Sequence, residues 1–212
     1  GQEAEKVNMS NSHNNNDQPV ARLAIFASGA GSNTQKIIDH FRGDNIIHTA
    51  LIVSNKPKAG VLDIAQRENI PVLIIEKERF FADGYVPVLK EKKIDWIILA
   101  GFLWKIPVPL FEAFPEHIIK IHPALLPNYG GKGMYGHFVH EAVIAAGEKE
   151  SGITIHYVDE HFDHGKTIFQ AKCPVEATDT PDTLARKIHE LEHYYYPTTI
   201  RALIAKNEIP VP

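Results

Sequence analysis

Leu23-Ala24-Ile25-Phe26-Ala27-Ser28-Gly29-Ala30-Gly31-Ser32-Asn33 decides the fold. Five apolar residues in unbroken series mark a strand buried on both faces, and the small residues behind them make a tight turn into a helix. Asn33–Phe41 then carries a helical period. The same alternation continues through the apolar runs Ala50–Val53, Val72–Ile75, Trp96–Leu99 and Ile118–Ile119, with helical segments at Ala59–Glu68 and Ala82–Lys92. Strand-length runs separated by helix-length segments predict an α/β chain built on a single doubly wound, mainly parallel sheet. Gly152–Tyr157 and Thr167–Val175 read as two C-terminal strands joined by a polar loop, in antiparallel order. Thr180-Pro181-Asp182 opens a long C-terminal helix, with a capping hydroxyl and Pro at the first helical position, expected to run to about Lys206.

Composition narrows the function classes. The chain has 212 residues, 22 Lys+Arg against 26 Asp+Glu (net −4), 12 His and one Cys. No window approaches the roughly 18 apolar residues of a membrane span. The lone Cys173 makes no internal disulfide and is expected to be buried, and the mild acidity gives no general attraction to nucleic acid. Residues 1–19, with their run Asn11-Ser12-His13-Asn14-Asn15-Asn16-Asp17-Gln18, lack anything to bury and read as a disordered tail with no signal-peptide pattern. Residues 20–212 form one domain, expected in the cytoplasm.

The first loop suits a compact anion. Gly29-Ala30-Gly31 lets backbone N–H groups approach closely, and the helix behind it, with Ser32 or Asn33 as N-cap, favours negative charge. A dinucleotide does not fit: Thr34 stands where the third glycine of G-x-G-x-x-G belongs, and the second strand ends in Ser54-Asn55-Lys56 without a ribose-binding acid. A phosphomonoester remains, at the carboxyl end of the first strand. Further on, Ile121-His122-Pro123-Ala124-Leu125-Leu126-Pro127 follows the strand Ile118–Lys120 as a rigid loop able to hold an imidazole, and Phe162-Asp163-His164-Gly165 offers a carboxylate for proton shuttling.

These pieces, in order from about Arg22 to Leu203, resemble the phosphoribosylglycinamide (GAR) formyltransferases of the formyltransferase superfamily, whose sheet is Rossmann-like. The carrying motifs are Ala27–Asn33, Leu99-Ala100-Gly101-Phe102-Leu103, Ile121–Pro127, Thr154–Val158 through Phe162–Gly165, and Glu192-His193. The resemblance implies transfer of a formyl group from 10-formyltetrahydrofolate, as co-substrate and without metal, to the amine of glycinamide ribonucleotide in purine biosynthesis. It implies that Gly31, Ser32 and Asn33 hold the substrate phosphate and that Glu192 contacts the same substrate. Phe102, Leu103, Trp104 and Lys105 line the folate pocket with the loop around Asp159–Asp163. His122 is the implied catalytic imidazole, Asp163 its proton partner, and His156 a support for Asp163. The family pattern is Asn-x-His, whereas this chain reads Lys120-Ile121-His122. Two roles stay open for Lys120: donor to the developing oxyanion, or a crowding charge that pairs with Asp163 and impairs turnover. The alternatives are an impaired folate- or phosphate-binding homologue, a formyltetrahydrofolate hydrolase, and formylation of initiator methionyl-tRNA.

Other histidines invite a metal. His189-Glu190-Leu191-Glu192-His193 matches H-E-x-x-H, yet no third ligand follows at zincin spacing. A buried stripe of Leu184, Ile188, Leu191 and Tyr195 leaves both histidines on a flank. His137 and His140 are expected in surface or capping roles. The glycines of Gly130–Gly136 suggest a mobile segment near the site.

Overall fold

The computed structural model describes residues 20–159 and 165–212. The tail and Asp163 therefore lie outside the described residues. The chain opens with β1 (Ala21–Phe26), α1 (Ser32–Phe41), β2 (Ile47–Ser54), α2 (Val61–Arg67), β3 (Val72–Ile74), α3 (Lys77–Asp83) and α4 (Val86–Glu91). It continues through β4 (Trp96–Leu99), α5 (Val108–Ala113), β5 (Ile118–His122), α6 (His137–Ala145), β6 (Glu150–Tyr157), β7 (Thr167–Pro174) and α7 (Pro181–Ala205).

One seven-stranded sheet runs in the order β3-β2-β1-β4-β5-β6-β7. The first five strands are parallel; β6 runs antiparallel to β5, and β7 to β6. Leu23 and Ile25 of β1 face one core with Ile37 and Phe41 of α1, Val139 and Val143 of α6, and Leu184, Ile188, Tyr196 and Ile200 of α7. Ala24 and Phe26 face the other, with Phe80 of α3, Leu89 of α4 and Leu110 of α5. Two-faced burial explains why β1, β2 and β4 read as continuous apolar runs rather than alternating ones, whereas the edge strand β3 leaves Val72 and Ile74 exposed.

Three expectations need correction. Ala82–Lys92 is not one helix: Gly84 (φ +64°) and Tyr85 (φ +57°) both take left-handed backbone, ending α3 and starting α4 at a new angle. α7 buries Leu184, Ile188, Glu192, Tyr196 and Ile200, a strict four-residue series, while Leu191 and Tyr195 are only half-buried beside it. The expected cap at Thr180 forms as a capping box with Thr183: Thr180 Oγ1 accepts from the Thr183 N–H at 3.2 Å, and Thr183 Oγ1 accepts from the Thr180 N–H at 2.9 Å. Cys173 is half-buried rather than buried, and burial raises its thiol pKa.

The sheet order turns back at β1. The chain winds outward through β2 and β3, then crosses to β4 on the other side, so the loops after β1 and β4 part and leave a crevice at their carboxyl ends. Ser28 fastens its floor. Its N–H donates to the Gly101 carbonyl at 3.1 Å, its hydroxyl donates to Asn55 Oδ1 at 2.6 Å, and it accepts from the Leu103 N–H at 3.0 Å.

Candidate active site

A cavity of about 590 Å³ occupies this crevice. Its walls come from the Ser28–Asn33 turn, Ala100–Leu103, Lys120–Pro123, Met134–His137, and one face of α7 at Ala185, His189 and Glu192.

The turn is built for an anion. Gly31, not Ser32 or Asn33, is the N-cap of α1, with φ +85° and ψ 29°. No side chain caps the helix, so the Ser32, Asn33 and Thr34 N–H groups at the positive end of the dipole are left for a ligand. Gly31 is required twice over. The φ is left-handed, and a Cβ here would stand 2.8 Å from Val61 Cγ2 and 2.9 Å from Ile64 Cδ1. The buried Asn33 Oδ1 has no hydrogen-bond partner among the described residues. Lys56, from the loop after β2, adds a cation to the same wall.

Opposite lie Lys120 and His122. His122 is the last residue of β5 and not part of the following loop, which makes its backbone position that of the sheet. Two residues apart on one strand, Lys120 and His122 share a face, and both line the cavity. Antiparallel pairing sets Lys120 against His156 and His122 against Thr154. His122 is 1% exposed, and its Nε2 donates to the Tyr129 carbonyl at 2.7 Å. His156 is equally buried, with Nδ1 donating to the Tyr157 carbonyl at 2.8 Å.

The third wall is α7. Glu192 is buried, and its Oε1 lies 2.9 Å from His189 Nδ1. That bond to the carboxylate raises the His189 pKa against the opposing effect of burial. His140 is neither a surface nor a capping residue: it is 3% exposed, lines the cavity, and burial lowers its pKa, with the neighbouring His189 adding to the effect. His137 remains exposed, 3.7 Å from Glu141.

The cavity thus gathers Gly31, Ser32, Asn33, Lys120, His122, Glu192, Phe102 and Leu103. Trp104 and Lys105 are not among its lining residues. Phe102 is mostly committed to the core, edge-on to Phe26 and Phe80, and Trp104 packs against Phe80 and Phe81. The sequence reading did not assign Ser28, Lys56, His140 and His189 to this cavity. Ser28 and Lys56 lie within stretches that were legible; His140 and His189 reach the cavity only through helix packing. Among the described residues no group of three or more His, Cys, Asp or Glu side chains is placed to hold a metal. His189 and His193 stack at 6.0 Å between ring centres, with His189 turned to Glu192.

A parallel sheet turning back at β1, an uncapped helix facing the crevice, and a buried histidine ending β5 define the class. The chain belongs to the formyl transferase family, whose model matches residues 21–200. It is 42% identical over 189 residues to the chloroplastic phosphoribosylglycinamide formyltransferase of Arabidopsis thaliana, covering 86% of this chain and 65% of the relative. To the Bacillus subtilis phosphoribosylglycinamide formyltransferase it is 35% identical over 194 residues, covering 89% and 97%. The chain spans 65% and 60% of the lengths of the two plant relatives from Arabidopsis thaliana and Vigna unguiculata. Among solved structures, glycinamide ribonucleotide transformylase 1 from Geobacillus kaustophilus superposes with a TM-score of 0.80 at 37% identity, over 87% of this chain and 99% of that one. No described helix is long and apolar enough to cross a membrane.

Proposed function

We propose that this chain transfers the formyl group of 10-formyltetrahydrofolate to the amine of glycinamide ribonucleotide, a reading supported by relatives named phosphoribosylglycinamide formyltransferase. The observation that carries this reading is the pairing, across one cavity, of a free helix N-terminus with Lys120 and His122. The helix end takes the substrate phosphate, with Gly31, Ser32 and Asn33 presenting N–H groups and Lys56 adding charge. Glu192 orients the same substrate from the α7 wall. Phe102 and Leu103 supply apolar lining that fits the folate ring.

The amine nitrogen attacks the formyl carbon, and its C–N bond forms as negative charge develops on the formyl oxygen. Lys120, in the position of the family Asn, donates a hydrogen bond to that oxygen. His122 accepts the proton the amine must lose and delivers it to the folate nitrogen as the oxyanion collapses to the carbonyl and the bond from the formyl carbon to that nitrogen breaks. Asp163 is proposed to order a water for this proton transfer, and His156 supports this side of the site. Cytoplasmic placement is part of the same reading.

Steady-state formyl transfer with purified protein tests it, alongside calorimetric binding of GAR and of a folate analogue. Transfer lowered by His122→Ala by about 100-fold or more supports the reading. Tight binding of both ligands without transfer by the wild-type chain overturns it in favour of a binding homologue.

A further inference from the structure

The segment that follows His122 is tied to the sheet by side chains with no part in the chemistry above. Residues 123–129 leave β5 and fold back over β6 and β7. Thr154 is fully buried, opposite His122 in one strand pairing and opposite Gln170 in the next. Its hydroxyl donates to the Ala124 carbonyl at 2.7 Å and accepts from the Leu126 N–H at 3.0 Å and from Gln170 Nε2 at 2.9 Å. A hydroxyl has one proton and two lone pairs, and all three are used. Gln170 Nε2 also donates to the Leu126 carbonyl at 2.9 Å, which uses both of its protons.

Beside this hub, Gly152 makes room for the segment. A Cβ there would lie 2.7 Å from Leu125 Cδ2 and 2.0 Å from the Ala171 carbonyl oxygen. The far end of the segment returns at Tyr129, in left-handed backbone with φ +58°, and its carbonyl accepts from His122 Nε2 at 2.7 Å. The Tyr129 hydroxyl donates to Glu148 Oε1 at 2.9 Å. A carbonyl oxygen only accepts, so the bonded Nε2 carries a proton and the lone pair of the neutral ring belongs to Nδ1.

We infer that Thr154 and Gln170 are positioning residues for the formyl-transfer reaction, holding segment 123–129 so that the Tyr129 carbonyl fixes His122 as the Nε2–H tautomer with Nδ1 as the proton acceptor. This rests on the proposed role of His122. Thr154 touches no substrate; it acts through the Ala124 and Leu126 backbone. Val matches its shape but has none of the three bonds, and Ser keeps all three.

The test compares Thr154→Val, Thr154→Ser and Gln170→Leu in the full chain, each checked for folding by thermal melt. Misplacing a catalytic group by about 1 Å costs on the order of 100-fold in rate. Thr154→Val is expected to lose about 10- to 100-fold in kcat, with KM for glycinamide ribonucleotide within about twofold and an altered pH dependence of kcat. Thr154→Ser should stay near wild type, and Gln170→Leu should fall between them. Long-range ¹⁵N–¹H spectra of labelled histidine read the tautomer directly. Wild type should show His122 as Nε2–H, and the Val variant a mixture. A folded Val variant with wild-type kcat, pH profile and ring signals overturns the inference. So does a wild-type spectrum showing Nδ1–H. If Thr154→Val does not fold, Gln170→Leu carries the same comparison. Should the wild-type chain transfer no formyl group, the functional reading fails, and the ring spectra still decide whether the clamp sets the tautomer.

Discussion

Tyr196 offers the clearest measure of how α7 holds the sheet together. Its ring is fully buried, and its hydroxyl lies 2.8 Å from the Leu99 carbonyl and 3.3 Å from the Ile119 carbonyl, reaching the strands that end at the site. With one proton to give, it donates mainly to Leu99, the nearer oxygen. Burial raises its phenol pKa well above the ordinary value, so the donor stays neutral. Tyr196→Phe keeps the ring and removes only this oxygen. A typical buried hydrogen bond contributes about 1 kcal/mol net, and leaving a buried acceptor short of a donor costs about 1–3 kcal/mol. We expect a loss of about 2 kcal/mol, since one proton serves two carbonyls in an apolar interior. For a domain of this size that is a drop of about 4–8 °C in Tm. Urea unfolding is the assay: the midpoint should fall with the m-value unchanged, because the surface exposed on unfolding is the same. A loss under about 0.5 kcal/mol would refute the argument, showing that water serves the two carbonyls as well as the tyrosine does.

Other outcomes are expected at the site. His122→Ala should lower kcat by about 10²–10⁴-fold, the range for a lost general base, with a much smaller change in KM. Lys120→Met should cost about 10²–10³-fold in kcat while Lys120→Asn retains most activity; equal rates for both would remove Lys120 from the transition state. Gly31→Ala forces a left-handed alanine, at about 1–2 kcal/mol, against Val61 and Ile64, and should raise KM for the phosphorylated substrate more than it lowers kcat. The His189–Glu192 bond raises the histidine pKa, so its contribution to stability is complete below the unfolded value of about 6.5 and is lost as pH rises through the folded value. The stability difference between wild type and His189→Ala, read by urea unfolding, should therefore be larger at pH 6 than at pH 9. A difference independent of pH would show that the pair does not couple to folding.

The strands were legible because burial on both faces leaves an apolar signature, as in Leu23–Ala27 and Ala50–Val53. The phosphate turn was legible because its chemistry is local: glycines, a strand before and a helix after. What escaped depends on contacts across the sheet. Ala82–Lys92 looks continuous in period, and only the two left-handed residues at Gly84 and Tyr85 break it. The buried face of α7 was misplaced by one position because Glu192 and Tyr196 are polar, yet both are drawn inward, Tyr196 to strand carbonyls and Glu192 to the cavity. Trp104 and Lys105 follow a lining motif in sequence, but Trp104 turns into the aromatic cluster around Phe80. Thr154 and Gln170 carry no motif at all; strand register alone puts them against the segment after His122.

The walls of the cavity come from Ser28–Asn33 near the start of the described chain, Lys120–Pro123 in the middle, and Glu192 near the end. The whole cavity therefore forms only when the fold is complete, and the affinity of a ligand that spans it is linked to complete folding. A ligand at 100 times its Kd adds about 2.7 kcal/mol to the stability of the whole domain. A chain short of α7 has no Glu192 wall, so substrate protects from proteolysis only chains that have finished folding.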